Sequence, residues 1–565
     1  MSETRPVPAF SPSVTSAPAT PVPRAGEAPG YASFAPAVWG RLTRSPYWPV
    51  AGLIIALGAG LRIRQWAFGR GFWSDELYVA HNLRARDCLD LLKPLAFSQS
   101  APPGWLCLER LSLEHFGATE RSLRLVPLLF GLALLPLMAY LGRRLLPPMA
   151  ALAALLLVAV APFLIGYSNE LKQYSAETFC ATLLVGLALL LLRDAPTWRS
   201  GAVFWAVSLV ASVLSTLAIP VAGALGVLIG MRALARSGRT WAQRWREFAR
   251  FAAPVPAWAV TVLVVYVFTL APRLGDPQLS AYWLGKSIYP SQPLTDLPAT
   301  LAWFAATYRT LAAVPFVAWS AWVVVPLLVI GAVVCWRRLH AVAVLVLLTP
   351  LAAGLAGAAV SVYPFNGRLA LYAVPACLML TGLAVAPPRG GHVVLRRVRW
   401  AAALGLLVAL VVPQLAMDVV VTAHPQRAFA QGGGANVADY RTALRYLDAE
   451  RRPGDVVLAT TVSWNAQSYY GPPADGYVVP AGPGGCPKKP VSTLLPGRSR
   501  VWLFQATDWA ETENRDLIVR LGSGGAAVTE RTFTGARVVR FDLTGTASTG
   551  DDVCLVPPPN GAGIR

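Results

Sequence analysis

The sequence predicts an α-helical polytopic membrane protein with about eleven transmembrane helices and a small extracytoplasmic α/β domain at its carboxyl end. Of its 565 residues, 55% are hydrophobic and 14% are charged, and the mean hydropathy is +0.49. This composition is too apolar for a soluble globular protein. The runs Met149–Tyr167 and Ala401–Met417 also reach membrane-spanning length without a charged residue. Polar, strand-like sequence appears only after about Thr422.

The charge distribution indicates membrane topology rather than a polyanionic partner. The formal net charge is +20, but the arginines stand in short clusters between the apolar runs. The positive-inside rule produces this arrangement, so no nucleic-acid partner is expected. With all clusters in the cytoplasm, the amino terminus lies inside and the carboxyl terminus outside. The predicted spans lie near residues 47–66, 122–142, 148–166, 178–193, 201–217, 218–231, 252–271, 313–335, 341–360, 368–386 and 400–421.

The uncharged run Gly201–Met231 is compatible with two topologies, since it is long for one span and short for two. A single span would place the following arginine cluster outside. The charge rule therefore favours two short helices, broken around Ser215–Pro220 because proline removes a backbone donor.

Three regions follow from the composition. Residues 1–45 are rich in Pro, Ala, Ser and Thr and are expected to form a disordered cytoplasmic tail. No signal peptide is visible, so the first span is expected to be an uncleaved anchor. Residues 46–421 form the transmembrane domain, whose first external loop, 62–120, contains surface helices at Leu77–Leu92 and Trp105–Phe116. Residues 422–565 form the α/β domain, with a helix at Val437–Arg451, strands at Asp455–Thr460 and Arg500–Gln505, and a hairpin of Ala526–Thr532 with Arg537–Leu543.

The seven cysteines have no metal-like spacing, so a zinc site is not expected. Cys180, Cys335 and Cys377 lie in apolar runs and are predicted to be small core residues. Cys486 and Cys554 fall in the external domain, where a disulfide and two free thiols are both open.

An acidic pair stands just past the first span, in Phe72-Trp73-Ser74-Asp75-Glu76. Carboxylates at a bilayer surface are costly without a partner or a role, so Asp75 and Glu76 are candidate catalytic residues. Such a carboxylate can accept the proton of an attacking hydroxyl, worth on the order of 10²–10⁴-fold in rate. The adjacent charge is expected to raise the pKa of Asp75 toward that of a useful base. The alternative is a solvated turn paired with Arg70 or Arg84.

A second polar segment, Tyr167–Glu177, opens a later span from the same side. If it continues as a helix, Glu170, Gln173, Tyr174 and Glu177 share one face. Glu170 is then a candidate catalytic residue. Lys172 and Tyr174 are candidate substrate contacts or, alternatively, simple membrane anchors.

Cations on the external side form a third set of candidate residues. An Arg or Lys can stabilise the negative charge that a phosphate leaving group gains in the transition state. Arg121, Arg124 and Arg368 all begin spans from outside, against the positive-inside bias. Snorkelling to lipid headgroups is the alternative, favoured for Arg124 and less so for Arg368. His81 is a candidate metal ligand or acceptor contact, or an ordinary interfacial histidine. The aromatic segment Tyr282–Pro290 is either a flap over the substrate or part of an aromatic belt.

Taken in order along the chain, these motifs resemble those of the GT-C glycosyltransferases that use polyprenyl-phosphate sugars. The resemblance is to the RgtA/B/C/D-like branch, related to family 39 and protein mannosyltransferases, and covers roughly residues 47–386. By resemblance, Asp75 matches the catalytic acid, Glu76 its partner and Glu170 the second acidic position. The second motif departs from the family because it reads Glu-Leu-Lys-Gln-Tyr instead of a plain Asp-based sequence. The motifs that carry the resemblance are Trp73–Glu76, Ser100–Trp105, Glu120–Arg124, Ser168–Glu177 and Tyr363–Arg368.

The resemblance implies a membrane enzyme that moves a sugar from a polyprenyl phosphate to an acceptor hydroxyl on a glycan, lipid or protein. Transfer would be an inverting single displacement at the outer face of the cytoplasmic membrane. The cofactor is unknown: a divalent cation is possible, but the sequence does not require one. The alternative function is a lipid or small-molecule transporter or flippase, whose charges should lie mid-helix along a path. A structural subunit that presents the carboxy-terminal domain is a third interpretation.

Overall fold

The structure is a computed structural model that describes residues 46–193, 197–236, 238–274, 295–313, 321–360, 362–365, 367–386, 393–423, 438–460, 463–471, 474–479, 500–506, 518–519, 521–522, 527–542 and 554–556. The chain divides into two units, Met1–Pro49 and Val50–Arg565. Of the first unit, residues 46–49 are described, and they begin the first helix. The predicted tail over 1–45, the segment Tyr282–Pro290 and Cys486 lie outside the described residues.

Helices make up most of the second unit. In chain order the helices are α1 (Tyr47–Phe68), α2 (Ser74–Ala85), α3 (Pro103–Phe116), α4 (Leu125–Leu145), α5 (Pro148–Val160), α6 (Pro162–Tyr167), α7 (Tyr174–Arg193), α8 (Trp198–Leu214), α9 (Ala218–Leu234), α10 (Trp241–Ala252), α11 (Val255–Val265), α12 (Ala271–Leu274), α13 (Leu297–Ala313), α14 (Ala321–Leu339), α15 (Ala341–Ala359), α16 (Val374–Ala384), α17 (Val393–Ala423), α18 (Tyr440–Glu450) and α19 (Trp464–Tyr470). A 3₁₀ turn, Gly367–Ala373, leads into α16.

The chain is an α-helical polytopic membrane protein, and an apolar helix overlaps each of the eleven predicted spans. Seven helices in the described ranges are long and apolar enough to cross a membrane. Three shorter apolar helices, α5, α8 and α9, accompany them. The first helix, α1, ends at Phe68, two residues beyond the predicted span, so Arg62 lies in the helix and not in the predicted external loop 62–120.

Two breaks in the helices have local causes. Between α8 and α9 the Ser215 side chain accepts a hydrogen bond from the Ala218 N–H at 3.1 Å, which confirms the predicted division of Gly201–Met231. Between α5 and α6 the buried Arg62 donates to the carbonyl oxygens of Val158 and Ala159, at 3.1 and 3.0 Å. These carbonyls belong to the last turn of α5, where they have no helical partners of their own. Arg62 therefore stabilises the break that leads into the Tyr167–Glu177 segment.

The carboxy-terminal region contains a six-stranded sheet of order β4-β5-β3-β1-β2-β6. β1 pairs in parallel with β2 and β3, and the remaining pairs are antiparallel. The predicted helix, two strands and hairpin all occur within a few residues of their expected bounds. The strands are β1 (Val456–Thr460), β2 (Gly476–Val479), β3 (Arg500–Ala506), β4 (Ala527–Phe533), β5 (Ala536–Asp542) and β6 (Cys554–Val556).

The loop between α1 and α4, residues 69–121, is hereafter the first loop, and residues 438–556 are the sheet domain. These two parts share one hydrophobic core. Phe72, Trp73 and Leu77 of the first loop pack in the same cluster as Tyr440 and Phe504 of the sheet domain. Burial of large apolar side chains is the main stabilising term in such a core, at roughly 1.5–3 kcal/mol each. The sheet domain is therefore joined to the first loop by packing as well as by the chain.

A disulfide joins Cys88 and Cys107 within the first loop. This bond cross-links the segment that follows α2 to α3, with a sequence separation of 19. Among the described thiols, Cys180 and Cys335 are buried and Cys377 is half-buried, as predicted for core residues.

Candidate active site

The centre of the site is an ion pair between the first loop and the start of a membrane helix. Arg368 Nη2 donates to Asp75 Oδ2 at 2.6 Å. Asp75 lies in the first turn of α2, and Arg368 lies in the 3₁₀ turn before α16. The guanidinium also lies against the rings of Trp73 and Tyr174, with its Cζ 5.3 and 5.8 Å from their centroids. Aromatic rings on two segments thus fix Arg368 beside the carboxylate.

Lys172 is the second cation at Asp75. Its Nζ lies 3.8 Å from Asp75 Oδ2 and donates to Gln99 Oε1 at 2.8 Å. The side chains of Lys172 and Asp75 are both nearly buried. A carboxylate, a lysine and an arginine from three separate segments therefore meet at one end of the helical bundle.

Glu76 points to a different partner from its neighbour. Arg124 holds the fully buried Glu76 carboxylate with two bonds, from Nε to Oε1 at 2.7 Å and from Nη2 to Oε2 at 2.6 Å. The Leu171 N–H donates to the same Oε1 at 2.8 Å. Bidentate arginine–carboxylate pairs are among the stronger polar contacts in proteins. Glu76 therefore joins the first loop to α4 and to the segment that carries Glu170.

Arg124 does not snorkel to lipid, and the expectation favoured for it from the sequence is wrong. The residue is buried, and Glu76 neutralises its charge. An arginine that snorkels keeps its charged head in water, but an arginine with a buried counter-ion does not need to. A carboxylate 48 positions earlier in the chain supplies that counter-ion.

The segment between α6 and α7 is not helical, contrary to the predicted continuous face of Glu170, Gln173, Tyr174 and Glu177. Residues 168–173 form turns and bends, and α7 begins at Tyr174. The Leu171 N–H bonds to Glu76, and the Asn169 carbonyl accepts from Arg70 Nη2 at 3.0 Å. Because the first loop takes up these backbone groups, the segment is not helical, and Glu170 does not share a helical face with Tyr174 and Glu177.

Glu170 is fully buried, and in the described part of the chain neither carboxylate oxygen has a hydrogen-bond partner. Burial, aided by the charge of Glu76, raises the pKa of Glu170 to about 7. A carboxyl group with this pKa gains or loses its proton near neutral pH. Asp75, Glu170, Lys172 and Arg368 are hereafter the acid–base cluster.

The pKa of Asp75 is lowered, whereas the sequence predicted that it would be raised. Burial opposes its ionisation, but the charges of Lys172 and Arg368 and their hydrogen bonds outweigh it, so its pKa lies below the ordinary value. The expectation that Glu76 would raise this pKa is wrong because Arg124 and Arg70 neutralise Glu76, and the pKa of Glu76 is itself lowered despite burial.

The remaining candidates divide between the cluster and its surroundings. Tyr174 packs on Arg368 and lies in the cluster's wall. Arg121 is exposed, and no ion pair of the described residues joins it to the cluster. His81 faces the sheet domain, where its Nε2 lies 3.0 Å from the Asn465 carbonyl oxygen and its ring stacks on Trp464. Within the described ranges, no group of three or more His, Cys, Asp or Glu residues is arranged to hold a metal ion.

Comparison with known proteins gives matches of low identity. No protein-family model and no curated protein matches the sequence. Among solved structures, ArnT from Cupriavidus metallidurans bound to undecaprenyl phosphate is 13% identical, with a TM-score of 0.49, covering 88% of this chain and 98% of that one. The Archaeoglobus fulgidus oligosaccharyltransferase is 13% identical, with a TM-score of 0.45, covering 88% of this chain and 73% of that one. Both are GT-C fold glycosyltransferases, the class that the sequence resembles.

Proposed function

We propose that this chain is a membrane glycosyltransferase that moves a sugar from a polyprenyl phosphate to an acceptor hydroxyl. The observation that carries the proposal is the meeting of Asp75, Lys172 and Arg368 from three separate segments at the end of an apolar bundle. This arrangement supplies a carboxylate for proton transfer and two cations for a phosphate. By the positive-inside rule, the site faces the exterior of the cytoplasmic membrane, with the amino terminus inside.

The donor phosphate is assigned to Arg368 and Lys172. A leaving polyprenyl phosphate gains negative charge as the glycosidic bond breaks, and preorganised cations stabilise that charge best in a partly buried site. The Arg368 side chain retains about a fifth of its exposure, so it is not sealed off from a ligand. Arg368 stands at the mouth of the helix Gly367–Ala384, along which a polyprenyl tail would stay in the bilayer.

Asp75 is assigned as the base that takes the acceptor proton. Its ion pair keeps its pKa low, but a phosphate bound to Arg368 and Lys172 would compete for the same cations. The affinity of Asp75 for a proton would then rise as the donor binds. Asp75 would therefore be a stronger base when the donor site is occupied and a weaker base when it is empty.

The reaction is written as one displacement. The acceptor oxygen attacks the anomeric carbon, its proton passes to an Asp75 carboxylate oxygen, and the bond to the phosphate oxygen breaks with inversion at that carbon. The phosphate leaves on its lipid. An external site has no supply of nucleotide sugars, which makes a lipid-linked donor the physically reasonable source. The acceptor is a hydroxyl of a glycan, lipid or protein.

A transfer assay tests the proposal. Purified protein in detergent is given short-chain polyprenyl-phosphate hexoses and pentoses together with envelope material from a strain lacking the gene. We expect one donor to lose its sugar to that material, with release of polyprenyl phosphate. In parallel, mass spectrometry of the deletion strain should show one missing sugar. Unchanged envelope glycans would contradict the proposal, and movement of an intact lipid-linked sugar would favour the flippase alternative.

A further inference from the structure

Four backbone groups of the short segment Gly69–Phe72, which leads into α2, are held by side chains from outside the first loop. Arg441 donates to the Gly69 carbonyl at 3.1 Å, and the Phe72 N–H donates to the Tyr470 hydroxyl at 2.8 Å. Arg124 donates to the carbonyls of Arg70 and Gly71. Half of this support comes from a membrane helix and half from the sheet domain.

The sheet domain also contacts the residue directly before Asp75. The Ser74 and Tyr440 hydroxyls lie 2.8 Å apart, and both residues are buried. Tyr440 is the first residue of α18, and its ring packs against Phe504 of the sheet. One domain residue thus contacts the first turn of the helix that carries Asp75 and Glu76.

The contacts continue away from α2. The Tyr470 hydroxyl donates to Glu120 Oε1 at 3.1 Å, and Arg441 Nη1 contacts the same oxygen at 2.9 Å. Close packing accompanies these bonds, since a Cβ added at Gly71 would lie 3.3 Å from the Ala438 carbonyl oxygen. The Tyr470 hydroxyl therefore accepts a hydrogen bond from Phe72, near the start of the first loop, and donates one to Glu120, near its end.

We propose that Tyr440 and Tyr470 are positioning residues for the acid–base cluster, which makes the sheet domain a structural half of the active site. They act through Phe72 and Ser74, which precede Asp75 by three positions and one position. This inference rests on the proposed glycosyl transfer. A carboxylate must be held close to its productive geometry, because small misplacements reduce the rate strongly even when the side chain itself is intact.

Tyrosine-to-phenylalanine variants test the proposal because they keep each ring and remove only the hydroxyl. We expect Tyr440→Phe and Tyr470→Phe each to lower kcat about tenfold or more, with the KM for the polyprenyl-phosphate sugar unchanged. Tyr446→Phe is the matched control: it lies on the same helix, and its ring packs against Trp502 and Phe533 instead of the first loop. If Tyr440→Phe and Tyr470→Phe both have the same kcat as Tyr446→Phe, the proposal is overturned.

Backbone hydrogen exchange separates this proposal from the proposed function. Peptides covering residues 70–78 should exchange faster in Tyr440→Phe and Tyr470→Phe than in wild type or Tyr446→Phe. If a variant is too unstable to purify, Ser74→Ala removes the hydroxyl from the other side of the contact. Faster exchange in the variants, combined with no sugar transfer by the wild-type protein, would support positioning and reject the glycosyltransferase assignment. Unchanged exchange in this region, whatever the activity, would reject the positioning role.

Discussion

Asp75 and Arg368 form a 2.6 Å ion pair across 293 positions of sequence. The pair joins the first turn of α2 to the turn that precedes α16. Since Lys172 approaches the same carboxylate oxygen, Asp75 is surrounded by the charges that a sugar-phosphate donor would engage. The candidate base and the candidate donor contacts are therefore electrostatically linked before any chemistry occurs.

Arg368→Ala should weaken use of the donor. A charge-assisted contact to phosphate is worth about 1.5–3 kcal/mol, which corresponds to roughly ten- to hundredfold in donor turnover. Steady-state transfer at several donor concentrations measures the change. Arg121→Ala is the control because Arg121 is an exposed arginine of the first loop that makes no ion pair with the acid–base cluster among the described residues, and its rate should stay close to wild type. Unchanged turnover in Arg368→Ala would reassign Arg368 to a structural role.

Glu170→Gln should alter how stability depends on pH. The folded-state pKa of Glu170, about 7, is above its ordinary value of 4.5, so folding favours its protonated form. That contribution is fully present below pH 4.5 and is lost as the pH rises through about 7. The melting temperature of Glu170→Gln relative to wild type should therefore increase between pH 5 and pH 8. A constant difference across this range would show that Glu170 titrates normally.

Glu76→Gln should destabilise the protein because it leaves the buried Arg124 without its counter-ion. Breaking a buried pair by removing one partner costs about 3–5 kcal/mol. Asp90→Asn is a control, since Asp90 pairs with Lys93 at an exposed position, where an ion pair contributes little to stability. Chemical denaturation of both variants in detergent compares them. Equal denaturation midpoints for Glu76→Gln and Asp90→Asn would contradict a stabilising role for the Glu76–Arg124 ion pair.

A reporter fused after Thr422 should report the cell exterior, and one fused after Arg338 should report the cytoplasm. This expectation follows from the arginine clusters and the count of spans. Reporter activity in the opposite compartments would place the acid–base cluster on the cytoplasmic side, where nucleotide sugars are available.

The sequence predicted the apolar spans and the sheet domain well because both depend on local patterns. Arginine clusters and uncharged runs located the membrane helices, and the break near Ser215 followed from the charge rule together with Pro220. Asp75, Lys172 and Arg368 were identified individually because each is polar at the edge of an apolar segment. Their meeting point depends on helix packing over hundreds of residues, which one sequence does not reveal.

The errors in the sequence predictions have a common physical origin in distant partners. Arg124 was expected to snorkel because its counter-ion, Glu76, belongs to another segment. The helix predicted through Glu170 fails because the first loop takes its backbone hydrogen bonds. Cys88 and Cys107 were not singled out, although two cysteines in one predicted external loop were the available signal. Tyr440 and Tyr470 carried no signal, since ring packing and hydroxyl bonding look alike in sequence.

The rate of Asp75→Asn tests the account most directly. Asparagine keeps the size of the side chain but cannot accept the acceptor proton, so transfer should fall about 10²-fold or more. The measurement is transfer by purified protein from a short-chain polyprenyl-phosphate sugar, with melting temperature as the check on folding. The account predicts this loss with a melting temperature that shows a folded protein. Wild-type rates in Asp75→Asn would contradict it and leave Glu170 as the remaining candidate base.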